Sequence, residues 1–324
     1  MSLRPEAGSI APATIDAVPL QPRRRDWSTT IAFWAFMGPM IIGLTVLTFV
    51  PIGWGLLLSF SRARGTISLG QWVGWDNYTT LLQDDAFIHS METILVFTAF
   101  IVPITFAFSL ALALMVNMIT RGRAFFRTVF FIPTAVSYVI ASLVWKMSIF
   151  NGLPYGLANL IIGKFGISYI AWIANPHPPW YWLVLVTVRL WLQVGFFMII
   201  FLAGLQEIPQ ALYEAAFVDG ARRGWSTFRH ITLPMLRNTS ISVLVLLFIA
   251  AFQAFDEFYN IMSSGLSGFG GNAILARPPL VYLYGVALGQ QNYGLGSAGA
   301  FILTAVILLV TIIQGRIFGF GRAD

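Results

Sequence analysis

Charged and apolar residues are separated along this chain into long blocks. Six apolar blocks of 17 or more residues without Asp, Glu, Lys or Arg are the candidates for membrane spans. The hydrocarbon core of a bilayer is about 30 Å thick, and a helix needs roughly 20 apolar residues to cross it. We therefore predict an all-α membrane protein with six transmembrane helices, the sixth starting near Ala298. The blocks are residues 31–60, 93–120, 128–145, 190–206, 238–255 and 278–315. The fourth block is long enough for a span if Arg189 is accepted near its outer end.

The distribution of basic residues predicts the orientation. Thirteen Lys and Arg residues lie on the side of both termini, and five lie on the other side. Because basic residues are enriched in cytoplasmic loops, we expect both termini and residues 207–237 in the cytoplasm. The first set is Arg4, Arg23, Arg24, Arg25, Arg121, Arg123, Arg127, Arg222, Arg223, Arg229, Arg237, Arg316 and Arg322. The second set is Arg62, Arg64, Lys146, Lys164 and Arg277.

Composition agrees with a membrane protein: 57% of the residues are hydrophobic, 10% are charged, and the mean hydropathy is +0.77. Residues 1–30, rich in Pro, Ala and Arg, are predicted to be a disordered tail, followed by one transmembrane domain over residues 31–320. Cysteine is absent and the three histidines lack ligand spacing, so we predict no metal site. The arginines follow the loops and form no basic stripe, so nucleic acid is not an expected partner.

Residues that could support enzyme chemistry are missing. No Gly-x-x-x-x-Gly-Lys-Ser/Thr phosphate loop is present, and neither Lys146 nor Lys164 completes one. No Ser-His-Asp arrangement or catalytic carboxylate pair can be argued, so we predict no catalytic residue. Asp84 and Asp85 are adjacent, face different sides of any helix, and are interpreted as solvated.

The polar loop 207–237 separates the fourth and fifth predicted spans. It opens with a helix-like stretch, contains Gly220, where the chain can turn, and continues with a second amphipathic stretch up to Pro234. We predict two short helices at a right-angle bend, ended by the proline. Such a knob is suited to docking into a partner's cleft.

This loop resembles the EAA loop of the membrane subunits of binding-protein-dependent ATP-binding-cassette importers. The matching residues are Glu214, Ala215, Ala216, Asp219, Gly220, Ala221, Phe228, Ile231, Leu233, Pro234 and Leu236. The resemblance implies a type I importer transmembrane-domain fold. It also implies that Glu214, Ala215, Ala216, Asp219, Gly220, Ile231, Leu233 and Pro234 couple the chain to an ATPase. Asn238 departs from the family, which often has proline there.

The role of the loop charges has two interpretations. Glu214 could pair with a basic residue of the ATPase cleft, or could be an acid favoured by the dipole at a helix N-terminus. Arg222, Arg223 and Arg229 are interpreted as topology signals or contacts to membrane lipid headgroups.

A second resemblance points to carbohydrate importers. Residues 73–78 (Val-Gly-Trp-Asp-Asn-Tyr) with Leu81 and Leu82 look like the first external loop of the first permease subunit in maltose and glycerol-3-phosphate systems. Residues 255–259 resemble the same group. The resemblance implies a carbohydrate substrate: an oligosaccharide, a disaccharide or a related polyol or sugar derivative.

The same resemblance implies the surroundings of the chain. Its partners would be a second homologous permease, two cytoplasmic ATPase subunits that carry ATP and Mg, and an extracellular or periplasmic solute-binding protein or lipoprotein. This chain would hold no cofactor. It would be a multi-pass protein of a bacterial or archaeal cytoplasmic (inner) membrane, with its N-terminus in the cytoplasm.

Charged residues inside predicted spans are candidates for function, because unpaired charges in hydrocarbon are costly. Arg189 lies eighteen residues before Glu207, and Asp256 lies eighteen residues after Asn238. Both therefore lie about 27 Å along a helix from the same membrane face, and we predict that they pair. Gln193 follows Arg189 by four residues and Gln253 precedes Glu257 by four, so each amide is expected to share a helix face with a charge.

Alignment with maltose-type permeases on the 207–237 loop implies a substrate pocket. Asp256 is added to it because it is expected at the same membrane depth as Arg189. Its predicted residues are Thr134, Tyr138, Arg189, Gln193, Phe196, Gln253, Asp256 and Glu257. Planar polar groups and aromatic faces suit sugars. Alternatively, the three charged residues only brace the helices.

Two other functions remain open. An ion-coupled secondary transporter could use Arg189, Asp256 and Glu257 as a relay; it predicts inverted repeats and discontinuous helices, and leaves the 207–237 loop unexplained. A membrane scaffold or sensor is disfavoured by the charges within the spans.

Overall fold

The computed structural model describes residues 27–222, 224–263 and 271–318. The chain divides into two units, residues 1–52 and 53–324. Of the predicted disordered tail, residues 1–26 lie outside the described residues, and a helix begins at Trp27. The boundaries of the predicted domain over residues 31–320 stay a prediction.

The described residues are mostly helical, which confirms the all-α prediction. Among these residues, one hairpin joins two short antiparallel strands, with Ser61 opposite Trp72 and Arg62 opposite Gln71. The strands are β1 (Ser61–Arg62) and β2 (Gln71–Trp72). The helices are α1 (Trp27–Leu44), α2 (Val50–Ser59), α3 (Asp76–Leu82), α4 (Asp85–Met118), α5 (Arg123–Phe131), α6 (Tyr138–Val144), α7 (Leu157–Gly163), α8 (Tyr181–Glu207), α9 (Gln210–Val218), α10 (Trp225–Thr227), α11 (Leu233–Met235), α12 (Arg237–Phe252), α13 (Asp256–Met262), α14 (Pro279–Tyr284) and α15 (Tyr293–Phe318). Wider π-helical turns cover Thr45–Phe49, Trp145–Ile149, Phe228–Thr232 and Gly285–Gly289, and a 3₁₀ turn covers Ile132–Ala135.

Five described helical segments are long and apolar enough to cross a membrane, and a bent pair makes a sixth if its two arms form one span. With the pair so counted, the six predicted spans are confirmed. The five segments outside the bent pair are Thr30–Ser59, Asp85–Met118, Tyr181–Glu207, Arg237–Met262 and Tyr293–Ile317. The bent pair is Arg123–Ala135 with Tyr138–Ile149, and its arms meet at 91°.

Two spans that the sequence predicted as continuous are broken. In the third, the two arms are separated by Val136 and Ser137, whose ψ angles of 137° and 135° are extended, directly after the 3₁₀ turn that contains Pro133. In the fifth, α12 ends at Phe252 and α13 starts at Asp256, with Phe255 at the non-helical φ −138° and ψ −59°. Apolar composition indicates that a segment is membrane-embedded, and it does not reveal whether the helix is continuous.

Other boundaries also differ from the prediction. The fourth span begins at Tyr181 and not at residue 190, so Arg189 lies well inside the helix. The sixth begins at Tyr293, after the shorter apolar helical segment Pro279–Gly289.

Asp84 has specific partners, so its interpretation as a solvated residue is wrong. One carboxylate oxygen accepts a hydrogen bond from the Ala86 N–H at 2.8 Å, which caps the first turn of α4. The other oxygen accepts from the hydroxyl of Tyr282 in α14. Burial, and then the contact with this carboxylate, raise the pKa of Tyr282, so the phenol stays protonated and donates.

Candidate functional site

A cavity of about 320 Å³ lies among the third, fourth and fifth spans. Five of the eight predicted substrate-binding residues line it together: Thr134, Tyr138, Gln193, Phe196 and Gln253. The remaining lining residues, which the sequence did not single out, are Leu192, Phe197, Leu246, Ile249 and Ala250. The wall therefore combines hydroxyl, phenol and amide groups with aromatic and aliphatic surface.

The breaks in the third and fifth spans position three of these residues. Thr134 and Tyr138 lie on either side of the elbow between the 3₁₀ turn and α6. The Thr134 hydroxyl donates to the Leu192 carbonyl of α8 at 3.2 Å, which holds the elbow against that helix. Gln253 lies just beyond the end of α12, with φ −91° and ψ 15°.

Gln193 and Phe196 reach the cavity from the continuous helix α8. They are three residues apart and so share a helix face. The same spacing would have indicated Leu192 and Phe197, because residues at i, i+1, i+4 and i+5 form one stripe. Ala250 has no polar side-chain group, so its residue type gave no signal for a place in the cavity wall.

The charged residues form a buried pair that is not the predicted one. Arg189 pairs with Glu257, and both are buried, at 5% and 1% exposed. The prediction that Arg189 pairs with Asp256 is wrong: Asp256 is half-buried in the first turn of α13. Counting eighteen residues assumed an unbroken helix, and the break changes both the rise and the rotation before residue 256.

The same break contradicts the shared helix face proposed for Gln253 and Glu257. Gln253 follows the end of α12, whereas Glu257 lies in α13, so the i, i+4 relationship does not apply. Gln253 lines the cavity, while Arg189, Asp256 and Glu257 are not among its lining residues. Arg189 contacts the cavity wall indirectly, since its guanidinium carbon lies 5.6 Å from the ring centre of Tyr138.

The loop 207–237 contains the predicted helix, glycine turn and second helical stretch. Gly220 has φ +86°, a conformation that glycine adopts without strain. Its N–H donates to the Phe217 carbonyl at 3.1 Å, and the Ala221 N–H donates to the Ala216 carbonyl at 2.8 Å. This pair of bonds is a Schellman motif, which ends α9 at the glycine.

The second helical stretch is continuous from Trp225 through the π-helical turn Phe228–Thr232 to Met235, and α12 follows at Arg237. It ends one residue beyond Pro234, so the predicted end is confirmed to within one residue. The Tyr213 hydroxyl lies 2.9 Å from that of Thr232, which ties α9 to the second stretch.

The residues implied in ATPase coupling are mostly exposed. Glu214, Ala215, Asp219, Gly220, Leu233 and Pro234 are exposed, while Ala216 and Ile231 are half-buried. Glu214 lies in the middle of α9, whose first turn contains no acid, so the helix-dipole interpretation of Glu214 is wrong. Arg222 and Arg229 are exposed, and Arg223 lies outside the described residues.

Similar proteins exist among characterised transport systems. The arabinooligosaccharides transport system permease protein AraP of Bacillus subtilis is 31% identical over 317 residues, covering 96% of this chain and 97% of that protein. The trehalose/maltose transport system permease protein MalF of Thermococcus litoralis is 31% identical, covering 88% of this chain and 92% of that protein.

A solved structure shares the fold. It is a chain of a bacterial ABC transporter involved in the import of the acidic polysaccharide alginate, with a TM-score of 0.79 and 23% identity, covering 91% of this chain and 97% of that one. Residues 104–318, more than half of the sequence, match the family described as "Binding-protein-dependent transport system inner membrane component". This chain therefore belongs to the family of binding-protein-dependent transport system inner membrane components.

Proposed function

We propose that this chain is the membrane-spanning permease subunit of an ATP-driven importer and that its solute is a carbohydrate, most simply an oligosaccharide. An external binding protein delivers the sugar, and a second homologous permease completes the pathway. Two cytoplasmic ATPase subunits, which carry ATP and Mg, drive transport through the 207–237 loop. The chain lies in a bacterial or archaeal inner membrane with its N-terminus in the cytoplasm.

The lining of the cavity is the observation that carries the choice of solute. The phenol of Tyr138 and the amides of Gln193 and Gln253 can bond sugar hydroxyls, and the ring of Phe196 can contact sugar C–H groups. The names of relatives agree: permeases for arabinooligosaccharides, for trehalose and maltose, and for diacetylchitobiose.

The surface of the loop supports coupling to an ATPase. Glu214 is exposed on α9 and lies one helical turn from Val218, which is 88% exposed; Trp225, elsewhere in the loop, is 70% exposed. Exposed apolar surface next to an acid suits a partner cleft that offers apolar contacts and a basic residue.

The alternative of an ion-coupled secondary transporter is not favoured. Its relay would need carboxylates that can exchange protons or ions, but Glu257 is buried and bonded to Arg189.

Uptake by the assembled system tests this proposal. The chain is reconstituted with a second permease, an ATPase and a binding protein from the same organism, and labelled arabino-, malto- and chito-oligosaccharides are offered. We expect uptake of at least one sugar that depends on both ATP and the binding protein. Accumulation driven by a proton gradient with the purified chain alone would contradict it, as would an assembled system that imports only amino acids or peptides.

A pair of matched variants connects this uptake to the cavity. Gln193→Leu removes an amide from the wall, while Gln206→Leu makes the same change at an exposed position of α8. We expect Gln193→Leu to raise the uptake KM about tenfold, as losing one buried hydrogen bond would, and Gln206→Leu to leave it unchanged. Equal KM values in the two variants would contradict the claim that this cavity binds the sugar.

A further inference from the structure

The break in the fifth span leaves main-chain groups without helical partners. The last carbonyls of an α-helix have no intrahelical donor and must bond elsewhere. At the end of α12, the Gln253 N–H bonds the Ile249 carbonyl at 3.2 Å, and the Ala254 N–H bonds the Ala251 carbonyl at 3.1 Å. The Ala250 carbonyl receives its hydrogen bond from Nη2 of Arg189, a side chain of α8.

The same guanidinium also binds the other side of the break. Nη1 of Arg189 donates to Oε1 of Glu257, which lies in the first turn of α13. The two nitrogens form a fixed fork, so one side chain holds the end of α12 and the beginning of α13 at once. Both contacts also match the helix dipoles, with a cation at a C-terminus and an anion at an N-terminus.

Aromatic rings surround the guanidinium of Arg189, a residue that is 5% exposed. Its guanidinium carbon lies 5.8 Å from the ring centre of Phe97 and 5.6 Å from that of Tyr138. Phe97 packs edge-on against Phe258 of α13, with ring centres 4.9 Å apart. Nε of Arg189 is buried with no hydrogen-bond partner among the described residues, so the two Nη groups make the polar contacts that hold the break.

We call the contacts of Arg189 with the Ala250 carbonyl and with Glu257 the clamp. The clamp borders directly on the cavity. Ala250, which accepts from Arg189, and Gln253, which lies within the break, both line it. We propose that Arg189 is a positioning residue: it fixes the end of α12 relative to α13 and thereby sets the position of Gln253 in the cavity wall. Its effect on solute choice rests on the proposed function, whereas its effect on geometry does not.

Cysteine labelling measures this geometry directly, because the chain contains no cysteine. Gln253→Cys reports on the break, since this position is exposed and lies within it. Gln193→Cys is the matched control, because it lies in the same cavity wall but on the unbroken helix α8. Each is introduced into the assembled importer, and the rate of reaction with a small maleimide is measured. The background variant is Arg189→Gln with Glu257→Gln, which leaves no unpaired buried charge.

The double variant gives opposite expectations for the two reporters. We expect its labelling rate at position 253 to change about tenfold, which corresponds to about 1.4 kcal/mol in the free energy of reaching a reactive arrangement. The rate at position 193 should stay the same. An unchanged rate at position 253 overturns the proposal. If the Gln pair does not assemble, Arg189→Met with Glu257→Met is used with the same expectations, because apolar replacements of a buried pair are often tolerated.

A charge swap separates the clamp from a simple ion pair. Arg189→Glu with Glu257→Arg restores opposite charges, but a carboxylate at position 189 cannot donate to the Ala250 carbonyl. We expect the altered labelling of position 253 to persist. Recovery of the original rate would show that the ion pair alone is sufficient, and would overturn the role of Ala250.

Transport by the double variant without the reporter cysteines distinguishes the two proposals. We expect the Arg189→Gln, Glu257→Gln variant to raise the KM for the sugar, with a smaller effect on maximal rate, while abundance stays normal. If the unmodified assembly moves no sugar but the labelling differs as expected, the proposed function fails and the clamp stands.

Discussion

Gly195 of α8 and Phe130 of α5 approach each other main chain to main chain. A Cβ atom placed on Gly195 would lie 1.8 Å from the Phe130 carbonyl oxygen and 2.7 Å from its carbonyl carbon. Only glycine therefore lets the first arm of the bent third span lie against α8. That arm leads directly into the turn that brings Thr134 to the cavity.

We predict that Gly195→Ala destabilises the chain, because the backbone of α5 would have to move away from α8. Overpacking of this kind costs about 1–3 kcal/mol, which should lower the Tm in detergent. Gly163→Ala, in α7, is the control, since a Cβ there meets nothing within 4 Å. Equal Tm values for the two variants would contradict this explanation.

The sequence predicted those parts of the fold that depend on composition. Six long apolar blocks without charged residues indicated six spans because burying charges in hydrocarbon is costly. Gly220 indicated the turn of the loop because a positive φ favours glycine. Both features follow from the chemistry of the residues alone, without knowledge of their neighbours.

Other features depend on which groups meet in three dimensions. The break at residues 253–255 contains no proline or glycine, and it is stabilised from another helix by Arg189. Depth counted along the chain therefore selected Asp256, although the partner is its neighbour Glu257. The capping role of Asp84 had a local signal in the sequence, since aspartate is a preferred N-cap residue. Its contact with Tyr282 had none, because the two residues are 198 positions apart.

Substitutions of Asp84 should separate its two contacts. Asp84→Ala removes both the cap of α4 and the acceptor for Tyr282, and we expect a loss of about 1–3 kcal/mol. Asp84→Asn retains a side-chain oxygen at the cap and should cost less. Thermal unfolding of the purified chain measures both variants, and the prediction fails if Asn is as destabilising as Ala.

Two substitutions of Tyr138 should distinguish solute binding from packing. Tyr138→Phe removes the hydroxyl but keeps the ring that faces Arg189. We expect a higher KM for sugar uptake and an unchanged Tm. Tyr138→Leu also removes the cation–π contact, worth about 0.5–2 kcal/mol, so its Tm should fall as well. An unchanged KM in Tyr138→Phe would exclude the phenol from solute binding.

The last prediction concerns coupling through the loop. Proline at Gly220 would require φ near −65° in place of +86° and would remove the N–H that donates to Phe217. Gly220→Asn is the matched control, because asparagine tolerates a positive φ better than most residues. We expect Gly220→Pro to abolish sugar uptake while the chain still inserts and ATP hydrolysis by the partner loses its dependence on the binding protein.

Charge reversal at Glu214 tests the same contact without changing the backbone. This side chain is exposed in the middle of α9, so Glu214→Lys should leave Tm unchanged. If the carboxylate meets a basic residue of the ATPase, the lysine will repel it, and uptake should fall about tenfold or more for a loss near 1.4 kcal/mol. Glu214→Gln, which removes the charge without reversing it, should give an intermediate uptake. The comparison is made at equal abundance in membranes, and unaltered uptake in Glu214→Lys and Gly220→Pro together would refute a docking role for the loop.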